Sequence, residues 1–244
     1  MTARNTVGSR THLARRVQPE LLDELPADDP RAVRSRGDLR RVNRLMGSLH
    51  LLRRALDKAG PASPRRLIEL GAGDGTMMLR LARSRAQQWP KTEVTLLDMQ
   101  PVVSAGTLSA IRDLGWSVDV DETDVLDWIE RSDADSDAIV FANLFVHHFE
   151  GDRLARLLAG IAGRSRLFVC CEPRRTAMTL AGSHLMALIG CNEVTRHDAV
   201  LSVHAGFRDK ELSSVWQRSC AGTWRLDESA AGLFSHMFVA KRER

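Results

Sequence analysis

The chain has 244 residues, of which 43% are hydrophobic and 27% charged, an ordinary globular balance with enough apolar material for a full-sized core. Its net charge of +4 is carried almost wholly by arginine, since lysine occurs only at Lys58, Lys91, Lys210 and Lys241; no dense basic patch marks a nucleic-acid binder. No apolar run reaches the roughly 20 residues of a membrane span, the four cysteines form no spaced Cys-x-x-Cys pair that would indicate a metal, and the polar start lacks a leader-like apolar stretch, so a cytoplasmic protein with no metal site is expected.

Residues 1–30 are polar and carry Pro19, Pro26 and Pro30, which reads as an irregular arm. From Asp38 to Leu56, apolar residues recur at helical spacing (Leu39, Val42, Leu45, Met46, Leu49, Leu52 and Leu56), and Gly60-Pro61 ends the pattern; one amphipathic helix is expected. Residues 1–60 are therefore read as an arm and a helical lid, and 61–244 as the catalytic domain. The sheet does not need this helix for cover, which leaves it free to close over the site with Asn43, Met46 or His50 toward substrate.

Strand signals occur at residues 66–70, 93–97, 116–120, 137–142 and 167–171, with helical signals at 76–88 and 152–162. Such alternation argues for a parallel sheet covered on both faces. Residues 223–226 and 233–240 form two strands with a short link, hence an antiparallel hairpin at the sheet edge. The expected fold is α/β and Rossmann-like: seven strands, mostly parallel, with a C-terminal hairpin and an N-terminal helical extension.

The first strand runs into Glu69-Leu-Gly-Ala-Gly-Asp-Gly-Thr76. Gly71, Gly73 and Gly75 permit a tight turn and the close approach of a ligand. A dinucleotide turn prefers a further glycine where Thr76 stands, and sets a pyrophosphate on the helix N-terminus. Glu69 and Asp74 would repel that pyrophosphate. They suit a phosphate-free, positively charged ligand such as S-adenosylmethionine. Asp98 ends the second strand at the distance where an acidic residue accepts hydrogen bonds from ribose hydroxyls, although it can equally begin the next helix as a cap. Asp124, in Asp124-Val-Leu-Asp127, can accept from an adenine amino group; Asp121, Glu122 and Asp127 are nearby alternatives.

These residues, with Ala142-Asn-Leu-Phe-Val-His-His148, resemble the class I S-adenosylmethionine-dependent methyltransferases over about residues 64–172, and the small-molecule branch in the histidine pair. The resemblance implies cofactor roles for Glu69, Gly71, Gly73, Gly75, Asp98, Met99, Asp124, Val125 and Asn143. Residues 39–46 and 194–207 are similar, more faintly, to bacterial methyltransferases of polyketide-derived phenolics.

The segment after the fourth strand bears on the acceptor. Asn143 is followed by Leu144 and Phe145 rather than by the Pro-Pro-aromatic run of base-amine methyltransferases, and there is no Pro-Cys dipeptide for cytosine carbon. His147 and His148 titrate near neutrality and can serve as base toward a phenol, as can His204; the chain has no tyrosine to compete for that role. Arg174 can hold a substrate anion. The expected partner is a small, partly aromatic molecule with an ionisable hydroxyl, acted on by a monomer or homodimer. An RNA or protein methyltransferase and a non-catalytic cofactor binder are the alternatives.

Overall fold

A computed structural model describes residues 13–131 and 137–243. Seven strands form one sheet: β1 (Arg66–Leu70), β2 (Glu93–Leu97), β3 (Ser117–Asp121), β4 (Ala138–Asn143), β5 (Ser165–Pro173), β6 (Trp224–Ala231) and β7 (Ser235–Arg242). Their spatial order is β3-β2-β1-β4-β5-β7-β6. β1 to β5 run parallel, and β7 pairs antiparallel with both β5 and β6. This is the expected Rossmann-like arrangement, hairpin included. The chain winds outward from β1 to β3 and then returns to place β4 on the other side of β1. The gap beyond the carboxyl ends of β1 and β4 is thus the topological switch point, where open α/β sheets bind their ligands.

Alternate residues of the central strands enter two cores. Ile68, Leu70, Val140, Ala142, Phe168 and Cys170 pack under α7 (Gly151–Arg164) and α10 (Glu211–Ser219). Leu67, Ile139, Phe141, Leu167, Val169 and Cys171 pack under the opposite layer, which includes α4 (Thr76–Arg85). Burial on both faces is why β4 reads as a continuous apolar run rather than as an alternation.

The N-terminal part departs from expectation. Of the expected arm, residues 1–12 lie outside the described residues, but from residue 13 on it is docked. It contains the short helix α1 (Leu21–Glu24) and leads into α2 (Pro30–Leu45). Pro30 is not irregular chain but the first residue of α2, where its fixed φ suits a helix start, and Asp29 caps that helix by accepting from Arg31 N–H at 2.7 Å. The single helix expected over 38–56 is two. Gly47, at φ +68°, breaks it between α2 and α3 (Ser48–Ala59). The apolar rhythm survives the break because each half buries its own stripe. Leu52 and Leu56 of α3 join the sheet's second core, whereas α2 packs on α9 (Glu193–Ala205). α3 is therefore sheet cover, and only α2 stands over the carboxyl ends of the strands. Between β5 and β6, α8 (Ala177–His184) and α9 pack on each other beside α2. Among the described residues no helix is long and apolar enough to cross a membrane.

Candidate active site

The glycine turn leaves β1 at Leu70. Gly71, Gly73 and Gly75 all have positive φ, at +64°, +53° and +72°. A side chain at Gly71 would be strained by its φ and would also place its Cβ 2.3 Å from the ring of Phe145. The turn is fixed to β2 by Asp98, whose Oδ2 accepts from Gly73 N–H at 2.7 Å while Oδ1 accepts from Gln100 N–H at 2.9 Å. Asp74 pairs with Arg40 of α2 at 2.5 Å, which ties α2 to the turn. Asp124 caps α6 (Val125–Trp128), accepting from Leu126 N–H at 2.7 Å, and Val125 is buried. Met99 is exposed just past Asp98.

Two buried polar atoms at this end of the sheet lack partners: Glu69 Oε2 and Asn143 Oδ1. Glu69 sits on β1 and Asn143 ends β4, its neighbour. Burial, and next the charge of Asp74, push the Glu69 carboxyl well above the usual carboxylate range. A donor-bearing, positively charged ligand relieves both conditions, because unpaired buried acceptors are costly. The residues present therefore fit the amino-acid part of S-adenosylmethionine. Asn143 Nδ2 donates to Asn43 Oδ1 at 3.0 Å, so α2 also touches this end of β4.

Next to it lies a buried polar cluster. Glu172, near the end of β5, is fully buried. Its Oε1 accepts from Phe145 and Val146 N–H at 3.2 and 3.0 Å, and its Oε2 faces His147 N–H at 3.3 Å and His147 Nδ1 at 2.7 Å. One carboxylate thus shapes the whole turn after β4. His147 Nε2 lies 3.4 Å from Glu20 Oε1, and Glu20 also accepts from Ser202 Oγ of α9. Burial lowers the His147 pKa, but the hydrogen bonds and charges of Glu172 and Glu20 outweigh it and raise the ring to about 9. His148, desolvated and beside that cation, falls to about 4; its Nδ1 is 3.3 Å from Asp23 Oδ2. Asp23 is pushed up to about 7 by burial and by the charges of Glu20 and Asp198. Arg15 locks the segment down, donating to the carbonyls of Ala205, His147 and Phe149.

A mostly apolar cavity of about 310 Å³ opens alongside. Leu39 and Val42 of α2, with Met46 just past its end, line it together with Leu144, Met186 and Phe234, and its polar lining includes Glu20, Ser202 and Asp198. Of the residues expected to face the substrate, Met46 lines this cavity. His50 is exposed on α3, and neither it nor His204 nor Arg174 lines the cavity; α3 turns its face to the sheet, and His204 offers its carbonyl to Arg16 N–H. Glu20, Asp23, Arg15, Arg40 and Glu172 are not singled out by the sequence. Glu172 leaves a trace as a carboxylate ending an apolar strand. Glu20 leaves none, being 127 positions from His147.

A family model described as a methyltransferase domain matches residues 67–165, the span from β1 to the start of β5. Over that span the chain carries a methyltransferase domain. Solved structures share the fold of this chain at low identity. An O-methyltransferase family protein from Burkholderia thailandensis matches with a TM-score of 0.59 at 18% identity, over 88% of this chain and 61% of that one. The plantazolicin methyltransferase BpumL, in complex with a triazolic desmethylPZN analogue and S-adenosylhomocysteine, matches with 0.59 at 12%, over 88% and 92%. The small RNA methyltransferase HEN1 matches with 0.56 at 14%, over 81% and 25%. The chain thus spans less than two thirds of the Burkholderia protein. No curated protein matches the chain.

Proposed function

We propose that this methyltransferase methylates a small, largely apolar acceptor at a hydroxyl, of phenolic, quinol or polyketide type. The observation that carries the proposal is the apolar cavity of about 310 Å³, near the lower end of small-molecule pockets. Leu45 and Leu185, which line it, are also exposed and give an apolar molecule a path inward. Of the fold neighbours named above, one is an O-methyltransferase family protein and another holds a small triazolic analogue beside S-adenosylhomocysteine, in keeping with this reading.

S-adenosylmethionine supplies a methyl group made electrophilic by its sulfonium. Glu69, Asn143 and the turn at Gly71, Gly73 and Gly75 would hold its amino-acid part, Asp98 with Met99 its ribose, and Asp124 with Val125 its adenine. α2 closes over both ligands, touching the cofactor side through Arg40 and Asn43 and the acceptor side through Leu39, Val42 and Met46. Within the cavity, Glu20 accepts the acceptor's hydroxyl hydrogen bond. We read His147 as a positioning residue, holding Glu20 on one side and bound by Glu172 on the other. Four free cysteines, three of them buried, are in keeping with a reducing cytoplasm.

The test is a labelled-methyl assay against phenols, quinols, bulk RNA and protein. Label in a phenol or quinol is the expected outcome. Label confined to RNA or protein would overturn the reading.

A further inference from the structure

Glu20, His147 and His148 each bring one candidate ligand atom to a common point, and all three atoms lie within 4.8 Å of one another. The Glu20 Oε1 to His147 Nε2 separation is 3.4 Å. Two atoms each about 2.0–2.1 Å from a tetrahedral ion stand about 3.4 Å apart. The spacing is therefore that of two ligands sharing an ion, and is long for a direct hydrogen bond.

The outer partners point the same way. Metal-binding histidines give their second nitrogen to a carboxylate, which fixes the ring and its tautomer. His147 does so to Glu172 at 2.7 Å, with the carboxylate itself anchored by three backbone N–H groups. His148 Nδ1 lies 3.3 Å from Asp23 Oδ2, which leaves its Nε2 for an ion. Three carboxylates, Glu20, Glu172 and Asp23, thus converge on two imidazoles, more negative charge than an ion pair needs. The position is also functional, because Glu20 lines the acceptor cavity.

We propose that Glu20, His147 and His148 form a binding site for a divalent transition-metal ion of the zinc type, with Glu172 and Asp23 orienting the two rings. Two imidazoles and one carboxylate suit zinc, whereas magnesium and calcium prefer sets made of oxygen alone. Three protein ligands leave a fourth position for water or for an oxygen of the acceptor. The ion also ties the N-terminal segment, through Glu20, to the end of β4. The sequence holds no spacing signal for such a site, since one ligand comes from far along the chain.

The test uses the untagged full chain, stripped with a chelator and dialysed, then titrated with Zn²⁺ by calorimetry and with Co²⁺ as a spectroscopic probe. One ion per chain is expected, with visible Co²⁺ bands of low coordination number that Zn²⁺ displaces. His148→Ala and Glu20→Ala should each remove that binding while circular dichroism stays native. Glu172→Gln should keep the stoichiometry and weaken affinity about 10–100-fold, as losses of such outer partners do. Failure of the wild-type chain to bind Zn²⁺, unchanged affinity in both His148→Ala and Glu20→Ala, or equal affinity for Mg²⁺ would each overturn the site. The inference shares the cavity with the proposed acceptor chemistry but is read by titration alone, so it stands or falls separately from the methyl-transfer assay.

Discussion

Replacing Glu172 with Gln removes one charge and almost no volume from a fully buried position. In the wild type Oε1 serves the N–H groups of Phe145 and Val146, and Oε2 serves both the N–H and the Nδ1 of His147. The amide oxygen of Gln can replace Oε1. The amide nitrogen cannot replace Oε2, because it sets a donor against two donors. One charge-assisted hydrogen bond is lost, about 1.5–3 kcal/mol, and one buried N–H is left unpaired, about 1–3 kcal/mol. A total of about 2.5–6 kcal/mol brackets the usual cost of about 3–5 kcal/mol for removing one partner of a buried pair. The sign of the pH dependence comes from His147. Its folded pKa, about 9, lies above the ordinary value near 6.5, so its stabilisation is complete below about 6.5 and is lost as pH rises through about 9. The gap between wild type and Glu172→Gln should therefore be widest at about pH 6 and narrow by about pH 10. Urea unfolding of both proteins at the two pH values, in the presence of a chelator, measures it. A loss below about 1 kcal/mol, or a gap that does not narrow with pH, would refute the account of Glu172 as the hub of this turn.

Asp98→Ala leaves the N–H groups of Gly73 and Gln100 without their acceptor; calorimetry should show S-adenosylhomocysteine binding weakened by about 1–3 kcal/mol, and unchanged affinity would remove Asp98 from the cofactor site. Gly71→Ala forces a left-handed φ on a side chain, costing about 1–2 kcal/mol, and drives its Cβ into Phe145; the expected result is a less stable protein that no longer binds S-adenosylhomocysteine, and wild-type binding would contradict the tight approach at this turn. Ala199→Phe fills the apolar cavity that Ala199 lines; the acceptor KM should rise at least about tenfold, the worth of roughly 1–3 kcal/mol of lost fit, with S-adenosylhomocysteine affinity unchanged. An unchanged acceptor KM would place the acceptor elsewhere.

Much of the sheet was legible because its strands are buried on both faces and bounded by glycine turns, and the tight turn at Gly71 was legible in its three glycines. The misreadings have local causes. A strand carrying a buried charge looks polar: β6 runs to Ala231 rather than ending near 226, because Glu228 turns inward to accept from the N–H groups of Leu212 and Ser213 at the start of α10. Periodicity records that a stripe is buried, not against what, so one rhythm over 38–56 concealed two helices with different partners. The histidine pair was visible as chemistry, but its charge state was not. That state depends on Glu20 and Glu172, which only the folded chain brings to the same ring.

Gly47 has an evolutionary consequence. Because the chain breaks there, the face of α2 with Leu39 and Val42 lines the cavity proposed for the acceptor, while the face of α3 with Leu52 and Leu56 meets the sheet. Acceptor preference can then drift through Leu39, Val42 and Met46, with α9 as the opposing wall, while the stability held by Leu52 and Leu56 is left intact. The domain has, in effect, separate hereditary controls for what it accepts and for whether it folds.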